Sequence, residues 1–327
     1  MFLNAAIAVV FDERPEPEAV LAELARLLAS TRLLTLTGIG GSGKTRLALR
    51  LAQQLGHGYA GGTWFVDLAP LREPEGVAGA VAAVLGVASE GQAPLADRLR
   101  DHLAPRPALL LLDNCEHVLD GVAPLVETLL AAGDTTVLAT SREGLGLSGE
   151  QIYPVRPLQL PATDDLPTVL AAESARVFID RVRLTVPDFE VQPDEAAALA
   201  IICRRLDGIA LALELAASRV SMFPLAEIAA RLDDRFRLLA GGSRAMARHQ
   251  TLLAAMHWSY DLLDAAQQRM LRHASVFAGG WSLAAAADVA ETADEYDALA
   301  LLSALHDKSL LEVDREHTGG RPRYRML

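Results

Sequence analysis

Residues Gly38-Ile39-Gly40-Gly41-Ser42-Gly43-Lys44-Thr45 follow the apolar run Leu33-Leu34-Thr35-Leu36-Thr37 and open a helical pattern. A strand, a glycine turn and a helix in that order predict a phosphate-binding loop. Glycines there let the backbone curl until successive N–H groups point inward at phosphate oxygens, an approach that side chains would block. Gly38, Gly40, Gly41, Ser42 and Gly43 then line the phosphates, and Lys44 reaches the β- and γ-phosphates. Thr45 supplies a hydroxyl to Mg²⁺, and the helix beginning at Arg46 aims its positive end at the same anion, which adds Arg46 to the cofactor-binding set. The expected ligand is a nucleoside triphosphate.

The 327 residues give room for two or three domains, each with its own core. No stretch approaches the roughly 18 apolar residues of a membrane helix, and the apolar run Ala5 to Phe11 lacks the basic lead-in of a signal peptide. Cys115 and Cys203 form no spaced metal pattern and suit a reducing compartment, so the expected location is the cytoplasm, with no membrane partner. A net charge of −12 argues against sequence-independent binding to nucleic-acid backbones. Two lysines against 28 arginines, with abundant Ala, Gly and Pro, match the codon bias of a GC-rich bacterial genome.

From about Thr31 to Val155, short β-rich runs alternate with helical stretches, the signature of a parallel sheet with crossover helices. The predicted strands are Leu33 to Thr37, Thr63 to Leu68, Ala108 to Asp113, Thr135 to Thr140 and Gln151 to Val155. Predicted helices run from Arg46 to Leu55, Val77 to Leu85, Pro94 to His102 and Val118 to Ala132. The aperiodic, proline-bearing segment Arg156 to Pro167 reads as a linker. Helical periodicity follows at Val169 to Leu184, Asp194 to Leu206, Ile209 to Val220 and Pro224 to Leu239, with Gly241-Gly242 as its stop. From Arg248 onward come three or four helices, then strands Ser309 to Val313 and Arg323 to Met326 joined across Thr318-Gly319-Gly320, which suggests a winged helix-turn-helix. The expected fold is an α/β P-loop domain over residues 1–160, an all-α domain over 161–242 and a winged-helix domain over 243–327.

A second nucleotide element is Leu109-Leu110-Leu111-Leu112-Asp113. Four leucines bury the strand on both faces and deliver Asp113 to the carboxyl edge of the sheet, where it can hold Mg²⁺ through water. The next residue is the neutral Asn114, at the position where many hydrolytic members of the superfold carry a glutamate that orients water. Glu116 stands either as a substitute for that glutamate or as a solvated charge at a helix N-terminus, and fast hydrolysis is not expected. The strand Thr135 to Thr140 runs into Ser141-Arg142, placing Arg142 either near the γ-phosphate as its reporter or in a solvated loop. The catalytic candidates are thus Lys44, Asp113, Glu116 and Arg142, with Thr45 and Asp113 on the metal.

The ordered set of segments resembles the signal-transduction ATPases with numerous domains, the NB-ARC-type ATPases, and within them the ATPase core of bacterial SARP-type and LuxR-type transcriptional regulators. The segments are Leu36 to Ala48, Leu112 to His117, Ala139 to Glu143, Leu206 to Ala217, His257 to Leu263, Ser275 to Gly280 and Asp307 to Leu310. The resemblance implies ATP and ADP as ligands: ADP holds the parts closed, ATP opens them, and attached domains respond. It also implies a winged helix that acts as an internal lid and not as a DNA reader, in keeping with nine Lys/Arg and eleven Asp/Glu over residues 243–327. Partners would be the nucleotide and either a second copy or sensor and effector domains. The chain departs from the family in three places. It has Val10-Phe11-Asp12-Glu13-Arg14 where the family has Phe-Val-Gly-Arg-Glu, and Ala210 where the family has the proline of Gly-Leu-Pro-Leu-Ala. It also stops at Leu327, where the family continues into sensor repeats, so the expectation is a core without input and output modules. The competing readings are an initiator-type ATPase with a DNA-binding winged helix, which predicts a basic recognition helix, and a nucleotide-locked protein-interaction scaffold.

Overall fold

The computed structural model describes residues 18–131, 133–232, 260–277, 280–290, 292–314 and 322–326. They divide into two units. One holds residues 18–38 and 44–155, and the other holds 39–43 and the residues from 156 onward.

The first unit is a five-stranded sheet of β1 (Leu33–Thr37), β2 (Thr63–Asp67), β3 (Ala108–Asp113), β4 (Thr135–Thr140) and β5 (Gln151–Pro154), in the order β2-β3-β4-β1-β5. Every pairing is parallel. Parallel strands need crossovers, and these are α2 (Lys44–Leu55), α3 (Gly76–Leu85), α4 (Leu95–Leu103) and α5 (Leu119–Leu130). The four leucines of β3 alternate between two cores. Leu109 and Leu111 pack with Leu24, Leu28, Leu47 and Leu51, whereas Leu110 and Leu112 pack with Val77, Val81, Leu99 and Val126. Burial on both faces is why β3 reads as a continuous apolar run and not as an alternating one.

Helix α1 (Glu18–Ser30) precedes β1, and the sequence reading passed over it. Its Leu21, Leu24 and Leu28 hold a helical spacing and are buried. The other elements of this unit fall within one or two residues of their predicted bounds.

In the second unit, α6 (Leu166–Ala171), α7 (Glu173–Arg183), α8 (Ala196–Arg205), α9 (Ala210–Ala217) and α10 (Leu225–Arg231) enclose a core that includes Val169, Phe178, Val182, Leu199, Ile202, Leu213 and Ile228. The sequence reading ran α6 and α7 together. Ala172 breaks them with extended backbone, φ −70° and ψ 136°, and an alanine run carries no stop signal to reveal it. The segment read as a linker is docked: Leu158 and Leu160 pack on this core, and the Leu158 N–H donates to the Gly208 carbonyl at 3.0 Å. Helix α10 spans only part of the predicted Pro224 to Leu239, flanked by Pro224 and Leu232, and residues 233–239 lie outside the described residues.

Gly208 adopts φ +66°, and a Cβ there would lie 2.2 Å from the Leu158 carbonyl oxygen, a backbone atom. Strain and clash together predict that Gly208→Ala costs about 2 kcal/mol or more of stability. Thermal denaturation checks this, and a midpoint equal to wild type would contradict it.

A further core in the second unit gathers Leu263, Met270, Trp281, Leu302, Leu305, Leu311 and Tyr324. It is built from α11 (Ala265–Ala274), α12 (Leu283–Ala290) and α13 (Glu295–Asp307), with the antiparallel hairpin β6 (Leu311–Asp314) and β7 (Arg323–Met326). Asp264 caps α11 through the N–H groups of Ala266 and Gln267, and Asp294 caps α13 in the same way. Val10 to Arg14, Gly241-Gly242, His257-Trp258-Ser259, Ala278-Gly279 and Thr318-Gly319-Gly320 lie outside the described residues.

Candidate functional site

The loop after β1 turns on glycines in backbone conformations that side chains avoid, with φ +82° at Gly41 and +99° at Gly43. Gly40 has no positive φ. The turn carries the chain straight into α2, whose first residue is Lys44 and not Arg46 as predicted. Lys44 is buried, and its Nζ donates to the Gly38 carbonyl at 2.7 Å, folding the side chain back across its own loop. Burial lowers its pKa from 10.5 to about 8. The Glu116 and Asp113 charges oppose that drop, and Arg142 adds to it. The Ser42 hydroxyl is buried with no hydrogen-bond partner among the described residues, as befits a group that meets a ligand. Arg46 is half-buried on the first turn of α2.

Asp113 ends β3 and is buried. Its Oδ1 accepts from the Thr45 hydroxyl at 2.7 Å and from the Thr140 hydroxyl at 2.5 Å, and its Oδ2 accepts from the Asn114 amide at 2.8 Å. Burial raises its pKa, and the two threonine hydroxyls oppose the rise. A hydroxyl and a carboxylate at hydrogen-bond distance are hard oxygen donors that fit Mg²⁺. No larger cluster of His, Cys, Asp or Glu able to hold a metal exists among the described residues. That sparse set suits a cation that keeps most of its waters and binds substrate phosphates.

Asn114 sits at φ +61°, a left-handed conformation that asparagine tolerates better than most residues. Its amide also reaches Asp67 Oδ1 at 3.4 Å, and its backbone N–H donates to Thr140 Oγ1 at 3.1 Å. The amide thus bridges the carboxylates that end β2 and β3, which are register partners.

For Glu116 and Arg142 the structure excludes the solvated alternatives. A solvated helix charge and a solvated loop arginine were each open alternatives, and neither describes the structure. Both side chains are buried, 7% and 6% exposed, and Arg142 Nε donates to Glu116 Oε1 at 3.2 Å. Glu116 lies in the tight turn Cys115–His117 directly after β3, and Arg142 lies two residues beyond β4, so neighbouring strand ends bring them together. Burial lowers the Arg142 pKa while Glu116 supports its charge. Residues given no role from sequence are Thr140, which ties Asp113, and Asp67. The available signal was a polar residue ending each of the apolar strands β2, β3 and β4.

A family model described as an AAA domain matches residues 27–147. An uncharacterized protein of Mycobacterium tuberculosis is 38% identical over 315 residues, which cover 95% of this chain and 77% of that protein. The chain belongs to the same family as that protein. Residues 27–147 form its AAA-type P-loop domain, a fold that implies binding of a nucleotide with a divalent metal. A second protein of M. tuberculosis, assigned by name to HTH-type transcriptional regulators, is 45% identical over 306 residues, 92% of this chain and 33% of that protein. The regulatory protein AfsR of Streptomyces coelicolor is 32% identical over 296 residues, 85% of this chain and 27% of that protein. The chain therefore spans about a third of the length of the first of these regulators. Among solved structures, Cdc6p from Pyrobaculum aerophilum aligns with 97% of this chain and 91% of its own at 14% identity and a TM-score of 0.48. No helix among the described residues is long and apolar enough to cross a membrane.

Proposed function

We infer that the chain is the ATP/ADP-binding switch core of a bacterial regulator of the STAND/NB-ARC class, a slow ATPase at most. Residues 1–160 are the nucleotide-binding part, 161–242 the helical part and 243–327 a winged-helix lid. The observation that carries this reading is the coupling of a glycine phosphate loop to an Asp113 held by Thr45 and Thr140, beside an Asn114 that supplies no carboxylate. Its kinship with named regulators agrees.

In this reading Lys44 leaves the Gly38 carbonyl for the β- and γ-phosphates, and the loop N–H groups orient them. Thr45 and Asp113 would hold Mg²⁺, which supplies charge neutralisation on the β- and γ-phosphates when bound. Arg142 answers the γ-phosphate and does not meet ADP. With Asn114 tied to Asp113 and Glu116 tied to Arg142, the attacking water lacks a free carboxylate base. The site then holds its nucleotide for long periods, which suits a switch better than a motor.

The test is the nucleotide released from purified protein, together with steady-state ATPase. Tightly held ADP and turnover well below about 1 s⁻¹ are expected. An empty site, or turnover in the ordinary enzymatic range, would overturn the reading.

A further inference from the structure

The Glu116–Arg142 pair is only half made. Nε meets Oε1 at 3.2 Å, while Glu116 Oε2 is buried and has no hydrogen-bond partner among the described residues. A buried carboxylate oxygen without a donor is costly, so Glu116 keeps an acceptor that the fold itself does not use among the described residues. The pair also lies beside the phosphate site. It spans the ends of β3 and β4, which flank the Thr140–Asp113 hydrogen bond, and β4 adjoins the strand that feeds the phosphate loop. Glu116 is the strongest of the charges acting on the Lys44 ammonium, and Arg142 acts on it with opposite sign. Arg142 contacts this internal carboxylate directly, whereas Lys44 feels its charge without a hydrogen bond to it and bonds the Gly38 carbonyl.

We propose that Glu116 is a built-in counter-anion that competes with the γ-phosphate for Arg142 and so sets how far the site prefers ATP to ADP. The inference rests on the nucleotide-switch reading above. ADP lacks the phosphate that Arg142 would answer, so the competition weakens ATP selectively. Glu116 is on this view a specificity-determining residue and not the base that activates water.

Affinities for ADP and for a non-hydrolysable ATP analogue, titrated calorimetrically on wild type, Glu116→Gln and Glu116→Asp, test it. Glu116→Gln is expected to raise the ATP-over-ADP preference about fivefold and to leave ADP affinity within about threefold. Glu116→Asp, whose shorter arm loosens the contact with Arg142 but keeps the buried charge, shifts the preference the same way by about twofold, and it decides the matter alone if Glu116→Gln does not fold. A purely structural pair would lower the melting temperature and leave the preference unmoved, and that result, or a preference that falls, would overturn the proposal. Wild type that binds neither nucleotide would overturn the switch reading along with it. Normal wild-type binding with an unmoved preference would overturn this proposal alone.

Discussion

Lys44→Ala is expected to bind both ATP and ADP at least about tenfold more weakly, roughly 1.4 kcal/mol, without loss of the fold. In the proposed switch this lysine answers the phosphates, and the folded chain buries its ammonium at a cost. Its pKa is 10.5 in water and about 8 in the folded chain. That shift amounts to roughly 3 kcal/mol against the folded state. The penalty is fully present below pH 8 and is relieved as pH rises from 8 toward 10.5, because only there does the folded chain release a proton that the unfolded chain keeps. Lys44→Ala should therefore melt no lower than wild type near neutral pH. Bound phosphate restores the charge, so nucleotide binding by wild type should take up a proton between pH 8 and 10.5, and affinity should decline as pH rises through that window. Titration calorimetry in buffers of different ionisation enthalpy reads the proton directly. Unchanged affinity in the variant, or proton release in that window, would remove Lys44 from the phosphates.

Asp113→Asn is expected to abolish the magnesium enhancement of ATP binding and to keep most of the affinity for ADP. The change is close to isosteric and removes the charge on which the Thr45 and Thr140 hydroxyls converge. Because burial already raises the Asp113 pKa, the protein tolerates a neutral group there, and the loss should appear in metal dependence more than in folding. ATP titrations with magnesium and with a chelator decide the matter. Equal enhancement in variant and wild type would assign the metal to other residues.

The sheet was legible because its central strands β1, β3 and β4 are buried along their whole length, so each appears as a short run of apolar residues and threonines without a charge until its end. The phosphate loop was legible because glycine, lysine and threonine each have a distinct reason to stand where they do. The Ala172 break was hidden because alanine suits helix and turn alike. Ala210, which departs from the family's proline, is the first residue of α9, where alanine is at ease without the fixed φ of proline. The partnership of Glu116 with Arg142 was invisible for a different reason. It joins side chains 26 residues apart, each just past the end of its strand, and no local pattern encodes that both are buried there and turned toward one another.

β3 places one more demand on this chain. Its leucines belong alternately to the core under α1 and α2 and to the core under α3, α4 and α5, so the carboxylate at its tip is braced from both sides at once. A substitution at Leu24 in α1 or at Val126 in α5 loosens one of the two cores that hold the β3 leucines, and in the proposed switch the two are expected to reach the Asp113 carboxylate through opposite faces of one strand.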